Sequence, residues 1–171
     1  MAFDIHRLDG MDPTSDQALK ALDRYQKALL RNFHDSPEAA DLVKADPRTG
    51  SWAEQMIQFG FSYLGATPPR LTASQAEEIL TELFPRKISL SSPDEADTVI
   101  PELLAFWSFL EREYHLPNAP AILSLLREVQ PEFKRMTSLT VVPNNAVTVM
   151  GPFSRGNYRR VSGCPLEAGL S

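Results

Sequence analysis

Few residues of this chain have types and spacings that could bind or transform another molecule, and the first candidates are two adjacent cations. Arg86 and Lys87 follow Phe84-Pro85 at the end of an apolar helical pattern. Two cations in that position can complement the negative end of a helix, or they can bind an anion or an acidic surface of a partner. No glycine-rich phosphate-binding loop stands beside them, which favours the helix-end role. Binding is the alternative hypothesis, and Arg86 and Lys87 are the binding residues that it predicts.

Metal-ligating side chains are scattered along the sequence. His6, His34 and His115 lie far apart, and none has a second ligand at the spacing that a zinc site uses. The single cysteine, Cys164, cannot form an internal disulfide and has no histidine near it in sequence. We expect no metal and no cofactor. Because nothing requires an oxidising compartment, the default location is the cytoplasm.

The acidic residues do not form an acid/base pair. Asp94, Glu95 and Asp97 fall in the first turn of a predicted helix, where capping and the helix dipole explain them. No sequence motif places a nucleophile, a base and an orienting group together, so we predict no catalytic residues and disfavour an enzyme. Residues that are distant in sequence can still converge in the fold, and an enzyme therefore stays the third hypothesis.

Charge is unevenly distributed along the 171 residues, whose net charge is −5. The tail beyond Thr137 holds three arginines and one glutamate, so the rest of the chain is distinctly acidic. An acidic body argues against a broad phosphate-binding surface, because duplex binding uses several clustered cations. No stretch approaches the roughly 20 apolar residues of a membrane span. We expect a protein partner, with nucleic acid disfavoured and no membrane.

The elements that must position these residues have the period of helices, since apolar residues recur every three or four positions from residue 12 to 136. One face of the first helix is marked by Leu19, Leu22, Leu29 and Phe33, and Lys20, Arg24, Lys27 and Arg31 lie largely on the other. The sequence predicts an all-α domain over residues 12–137, a compact bundle of six or seven short helices. Residues 1–11 form an N-terminal extension in this interpretation.

Local signals predict where several helices begin and end. Thr14 or Ser15 is a plausible N-cap of the first helix, and Thr72 with Gln75 forms a capping box. We expect the helix before Arg86 to stop at Phe84 or Pro85. Ser92-Pro93-Asp94-Glu95 predicts the next start.

A central helix is predicted over 101–115, because its apolar surface is broad. Pro101 predicts either a kink or a short turn followed by a fresh helix. Phe109 is out of line with the apolar stripe and could be exposed. Pro131 to Met136 could form a separate short turn after the next helix.

The pattern changes in residues 138–171, which are punctuated by glycine and proline. Two β-prone runs, 140–142 and 147–150, could pair as a small hairpin. An irregular or disordered tail is the stronger prediction. Arg155, Tyr158, Arg159 and Arg160 have the crude composition of a single-strand binder, and three arginines are weak evidence for it.

One stretch resembles a helical module of uncharacterised bacterial proteins. The resemblance rests on Phe84-Pro85-Arg86-Lys87-Ile88-Ser89-Leu90, on Ile100-Pro101-Glu102-Leu103-Leu104-Ala105-Phe106-Trp107 and on Pro131-Glu132-Phe133, and it covers about residues 79–136. It implies a bacterial helical domain. No activity comes with it, so it assigns no catalytic residue.

The sequence favours two hypotheses about function over an enzyme. The first is a non-catalytic protein–protein interaction or adaptor module that presents a groove or a helix face to its partner. The alternative is a nucleic-acid-associated regulatory protein in which helix 73–84, the Arg86-Lys87 turn and the following helix act like a helix-turn-helix. That connector is longer than the usual three or four residues, and the flanking helices are acidic.

Overall fold

The computed structural model describes residues 3–90 and 93–138, and every regular element in these ranges is helical. The main helices are α1 (Asp16–His34), α2 (Ala40–Ala45), α3 (Ser51–Leu64), α4 (Ala73–Glu78), α5 (Phe84–Lys87), α6 (Pro93–Tyr114) and α7 (Ala119–Ser138). A 3₁₀ turn spans Pro68–Arg70, and a π-helical segment, Ile79–Leu83, joins α4 to α5. With α4 through α5 counted as one, the described chain has six helices, and the predicted all-α bundle is confirmed.

Side-chain and backbone caps fix several helix ends where the sequence placed them. The Ser15 hydroxyl accepts a hydrogen bond from the Ala18 amide and begins α1. Thr72 and Gln75 cap each other reciprocally at the start of α4. Gly65, at a φ of 62°, ends α3 in the left-handed region that a glycine adopts without strain.

The helix that carries the basic pair extends further than expected. It was predicted to stop at Phe84 or Pro85, but α5 runs to Lys87 and Ile88 caps it. In the π-helical segment the hydrogen bonds reach one residue further back, and the Phe84 amide donates to the Ile79 carbonyl. Pro85 has no N–H to donate, and this shifted pattern lets the helix pass it.

Two further prolines lie inside unbroken helices. α6 continues through Pro101, and α7 continues through Pro131. The predictions of a fresh helix after Pro101 and of a separate turn at 131–136 are wrong. α6 and α7 make the most extensive helix–helix contact of the described fold, and this packing outweighs a local cost of about 3 kcal/mol for an interior proline.

The core surrounds α6, which supplies Leu103, Phe106, Trp107, Phe109 and Leu110 to it. Phe109, which could have been exposed, is 2% exposed because its ring packs 5.7 Å from that of Phe33 in α1. Two large apolar side chains lie instead at the surface: Leu19, from the predicted apolar face of the first helix, is 45% exposed, and Tyr63 of α3 is 53% exposed. Spacing alone therefore placed most of the core and misplaced residues at the edges of the stripes.

The segment 3–11 packs against the bundle. Ile5 and Leu8 are 7% and 1% exposed and belong to the same core as the helices. The Tyr25 hydroxyl donates to the Ile5 carbonyl at 2.9 Å, and the Thr67 hydroxyl donates to the Asp9 carboxylate. The sequence set this segment apart from the helical domain, yet its described residues complete the core. The predicted irregular tail and its alternative hairpin lie outside the described residues.

Candidate functional site

The predicted binding pair lies in the last turn of α5, and each side chain contacts a neighbour. Arg86 Nη1 is 3.6 Å from Glu82 Oε2, in an ion pair between residues four apart. Lys87 Nζ lies 5.4 Å from the centroid of the exposed Tyr63 ring, a cation–π contact. Helix-end stabilisation accounts for both positions. A binding role for Arg86 and Lys87 stays a prediction.

The other chemically capable side chains remain apart. His6 contacts the Asp9 carboxylate at 3.0 Å, His34 lies in the last turn of α1, and His115 follows α6. Among residues 3–90 and 93–138, no three His, Cys, Asp or Glu side chains are placed to hold a metal ion. Cys164 lies outside these ranges.

A row of cations runs along the outer side of α1. Lys20, Arg24, Lys27 and Arg31 are separated by four, three and four residues, which places them on one face of the helix. All four are exposed. From Lys20 to Arg31 the row is about 17 Å long, at a rise of about 1.5 Å per residue. Together with Arg7 of the N-terminal segment, these residues are called the basic face.

The N-terminal half of the basic face is concave. A concavity of about 440 Å³ lies between α1 and the N-terminal segment, and its lining contains three cations and no carboxylate. Arg7, Lys20 and Arg24 make no ion pair with any other described residue. Three positive charges therefore face this concavity, with no carboxylate in its lining. It is lined by Arg7, Met11, Gln17, Lys20, Ala21 and Arg24.

The C-terminal half of the basic face borders a second concavity of about 330 Å³. Lys27, Arg31 and His34 line it from α1, and the α2–α3 loop closes it with Arg48. Lys27 is paired with Asp23 at 2.9 Å, whereas Arg31 has no ion pair within the described part of the chain. Glu54 is the one carboxylate in its lining. More of the cations at this end are therefore paired with carboxylates, as Lys27 is with Asp23 and Arg48 with Asp46.

A third concavity, of about 270 Å³, adjoins the basic face and is called the groove. It is lined by Asp46, Arg48, Ser51, Trp52, Gln55, Ile88, Glu95 and Thr98. The groove lies where α3 begins, beside the first turns of α6. Trp52 and Ile88 give it an apolar wall.

Glu102 fixes the start of α3 from the centre of α6. Its side chain is buried, and Oε1 accepts hydrogen bonds from the Trp52 and Ala53 amides at 2.7 and 3.0 Å. Gly50, the N-cap position, has no side chain to perform this role. Burial raises the pKa of Glu102, and the hydrogen bonds from the backbone oppose the shift. Sequence reasoning missed Glu102, because no local signal connects positions 52 and 102.

No family model, curated protein or solved structure matches this chain. The candidate site consists of the exposed basic face of α1, two concavities along it, and a groove at one end with an apolar wall of Trp52 and Ile88.

No helix among the described residues combines the length and the apolar character that crossing a membrane requires.

Proposed function

We propose that this chain is a non-catalytic protein-interaction module and that its basic face binds an acidic segment of a partner protein. The observation that carries the proposal is the N-terminal concavity, where Arg7, Lys20 and Arg24 stand together without a carboxylate. In a chain of net charge −5, three cations on one concave surface that form no ion pair with a described residue are a local reversal of sign. A partner with acidic side chains would supply the missing opposite charges and be steered to this face.

An acidic peptide fits this face better than a nucleic acid duplex does. The cations form a single row of about 17 Å along one helix. A protein that binds a duplex contacts phosphates over a much larger part of its surface. The helix-turn-helix alternative also needs an exposed second helix. α6 occupies that position, and none of its residues 99–110 is exposed. Its first turns are exposed at Asp94 and Asp97, whose carboxylates repel phosphate. The nucleic-acid hypothesis is therefore the weaker proposal.

Fluorescence anisotropy with a fluorescein-labelled peptide of eight glutamates tests the proposal. We expect binding that weakens as salt rises from about 50 mM to 300 mM, because exposed charges are screened over a Debye length of about 10 Å at 0.1 M. The Arg7→Glu/Arg24→Glu variant should bind at least about tenfold more weakly, since each reversal turns an attraction of several tenths of a kcal/mol into a repulsion.

Arg86→Glu/Lys87→Glu is the matched control, with the same change in net charge at the predicted pair. It should bind the peptide with an unchanged Kd. If this variant loses binding while Arg7→Glu/Arg24→Glu keeps it, the site is the pair on α5. Absence of salt-dependent binding to the wild type contradicts the proposal, and tighter binding to a 20-base-pair duplex than to the peptide favours the nucleic-acid alternative.

A further inference from the structure

We propose that the acidic partner segment carries an apolar side chain and that this side chain binds in the groove beside the basic face. The inference rests on the proposed function, because it adds a second contact to the same partner. Two observations support it. The groove is continuous with the basic face, and its tryptophan, Trp52, is fixed by contacts within the protein.

Continuity follows from shared lining residues. Arg48 and Ser51 line both the C-terminal concavity of the basic face and the groove. The Arg48 guanidinium is oriented by Asp46, to which Nη2 and Nε donate at 3.1 and 3.3 Å. A chain bound along the basic face therefore meets the groove where the row of cations ends.

Trp52 is fixed at three points. Its backbone amide donates to Glu102 at 2.7 Å, its indole Nε1–H donates to the Thr98 hydroxyl at 3.0 Å, and its ring packs 6.2 Å from that of Phe84. The one polar atom of the ring is therefore satisfied, and the half-exposed ring surface is apolar. Binding against a side chain that is already ordered avoids much of the entropy cost of association.

The charges around the groove select the kind of side chain that enters it. The groove lining holds two carboxylates, Asp46 and Glu95, against one cation, Arg48, which is already paired with Asp46. Another acidic side chain of the partner would therefore meet a net negative charge there. An aliphatic or aromatic side chain contacts Trp52 and Ile88 without that repulsion. The surface as a whole thus fits a segment with acidic residues on the basic face and an apolar residue in the groove.

Two synthetic peptides test the inference: eight glutamates with a leucine at each end, and eight glutamates with a serine at each end. The wild type should bind the leucine peptide about three- to tenfold more tightly, as expected for partial burial of one leucine. Trp52 emission should shift with the leucine peptide and not with the serine peptide. The second tryptophan, Trp107, is 1% exposed and provides an unchanged background.

Ile88→Ser removes part of the apolar wall and should reduce the preference for the leucine peptide, with its fold checked by circular dichroism. Should that variant not fold, Thr98→Val decides instead: it keeps the shape of Thr98 but releases the indole, and it should reduce the preference for leucine. Equal binding of the two peptides to the wild type overturns the inference and leaves the proposed function intact. Failure of both peptides to bind overturns the proposed function itself.

Discussion

Glu102 performs at the start of α3 a role that a serine or threonine beside the helix usually performs. Its carboxylate comes from another helix and accepts two backbone hydrogen bonds that would otherwise be unmade in the interior. Because Trp52 is one of the two donors, the same contact holds a wall of the groove. A single buried side chain therefore links the stability of the bundle to the shape of the candidate site.

Replacement of Glu102 separates its hydrogen bonding from its charge. Glu102→Ala should lower the free energy of unfolding by about 2–4 kcal/mol, because it leaves the Trp52 and Ala53 amides without an acceptor. Glu102→Gln retains an acceptor oxygen and should cost less than about 1.5 kcal/mol. Urea unfolding at neutral pH measures both. Equal losses in the two variants would mean that the charge, and not the acceptor, is what α3 requires.

The raised pKa of Glu102 makes the stability of the wild type depend on pH. A carboxyl group with a raised folded-state pKa binds protons more tightly when folded, so its stabilising contribution is complete below its unfolded pKa of about 4.3 and is lost as pH rises through the folded value. Glu102→Gln lacks this titration. The melting temperature of Glu102→Gln minus that of the wild type should therefore increase from pH 4 to pH 7. A difference that decreases would show that Glu102 ionises more readily in the fold.

At the scale of elements, caps define where helices begin, while packing decides how far they continue. The capping box at Thr72 starts α4 where the sequence placed it. Pro85, Pro101 and Pro131 all predicted an interruption, and the helices continue past each of them. A cap acts through residues three positions apart, whereas the cost of an interior proline is outweighed by contacts from other parts of the chain.

Thr72→Ala tests the local part of this account. Loss of the hydroxyl leaves the Gln75 amide without its acceptor and should lower the free energy of unfolding by about 1 kcal/mol. Ser74→Ala, an exposed change of the same kind within α4, should alter stability by less than about 0.5 kcal/mol. Thermal denaturation of the two variants side by side provides the comparison. Equal effects would indicate that the capping box contributes nothing in this bundle.

At the scale of the whole molecule, the N-terminal segment joins the core to the candidate site. Leu8 is buried in the core, while its neighbour Arg7 lines the positively charged concavity. A hydrogen bond from the Thr67 hydroxyl and an ion pair with Arg70 hold Asp9 of the same segment. Burial raises the pKa of Asp9, but these contacts and His6 lower it by more, so the carboxylate stays ionised. Arg7 is thus positioned by its neighbours in the segment, Leu8 and Asp9, which pack and pair with the bundle.

Deletion of residues 2–11 tests whether this segment belongs to the folding unit. We expect the free energy of unfolding to fall by about 3–6 kcal/mol, since Ile5 and Leu8 each bury a side chain worth about 1.5–3 kcal/mol. Urea denaturation of the full and shortened chains measures the change. A loss below about 1 kcal/mol would show that the segment is a peripheral extension, as the sequence alone suggested.

The candidate site was only partly visible in the sequence. Its cations on α1 could be read from their spacing, opposite the apolar stripe, but such a row is also the ordinary solvent face of a helix. What distinguishes it is the approach of Arg7 at one end and Arg48 at the other. Neither approach has a local cause, so neither could be derived from spacing. The sequence predicted binding at the adjacent Arg86 and Lys87, which in the structure contact Glu82 and Tyr63 respectively.

By itself, the sequence determined the all-α class, the positions of the main caps and most of the buried residues, because the helix period and capping depend on residues a few positions apart. The tertiary structure decided the rest. Contacts between distant segments carried helices through Pro101 and Pro131, buried Phe109, brought Glu102 to the start of α3 and placed Arg7 beside α1. Packing and contacts between residues that are distant in sequence produce these features. They give the candidate site its shape and its positive charge.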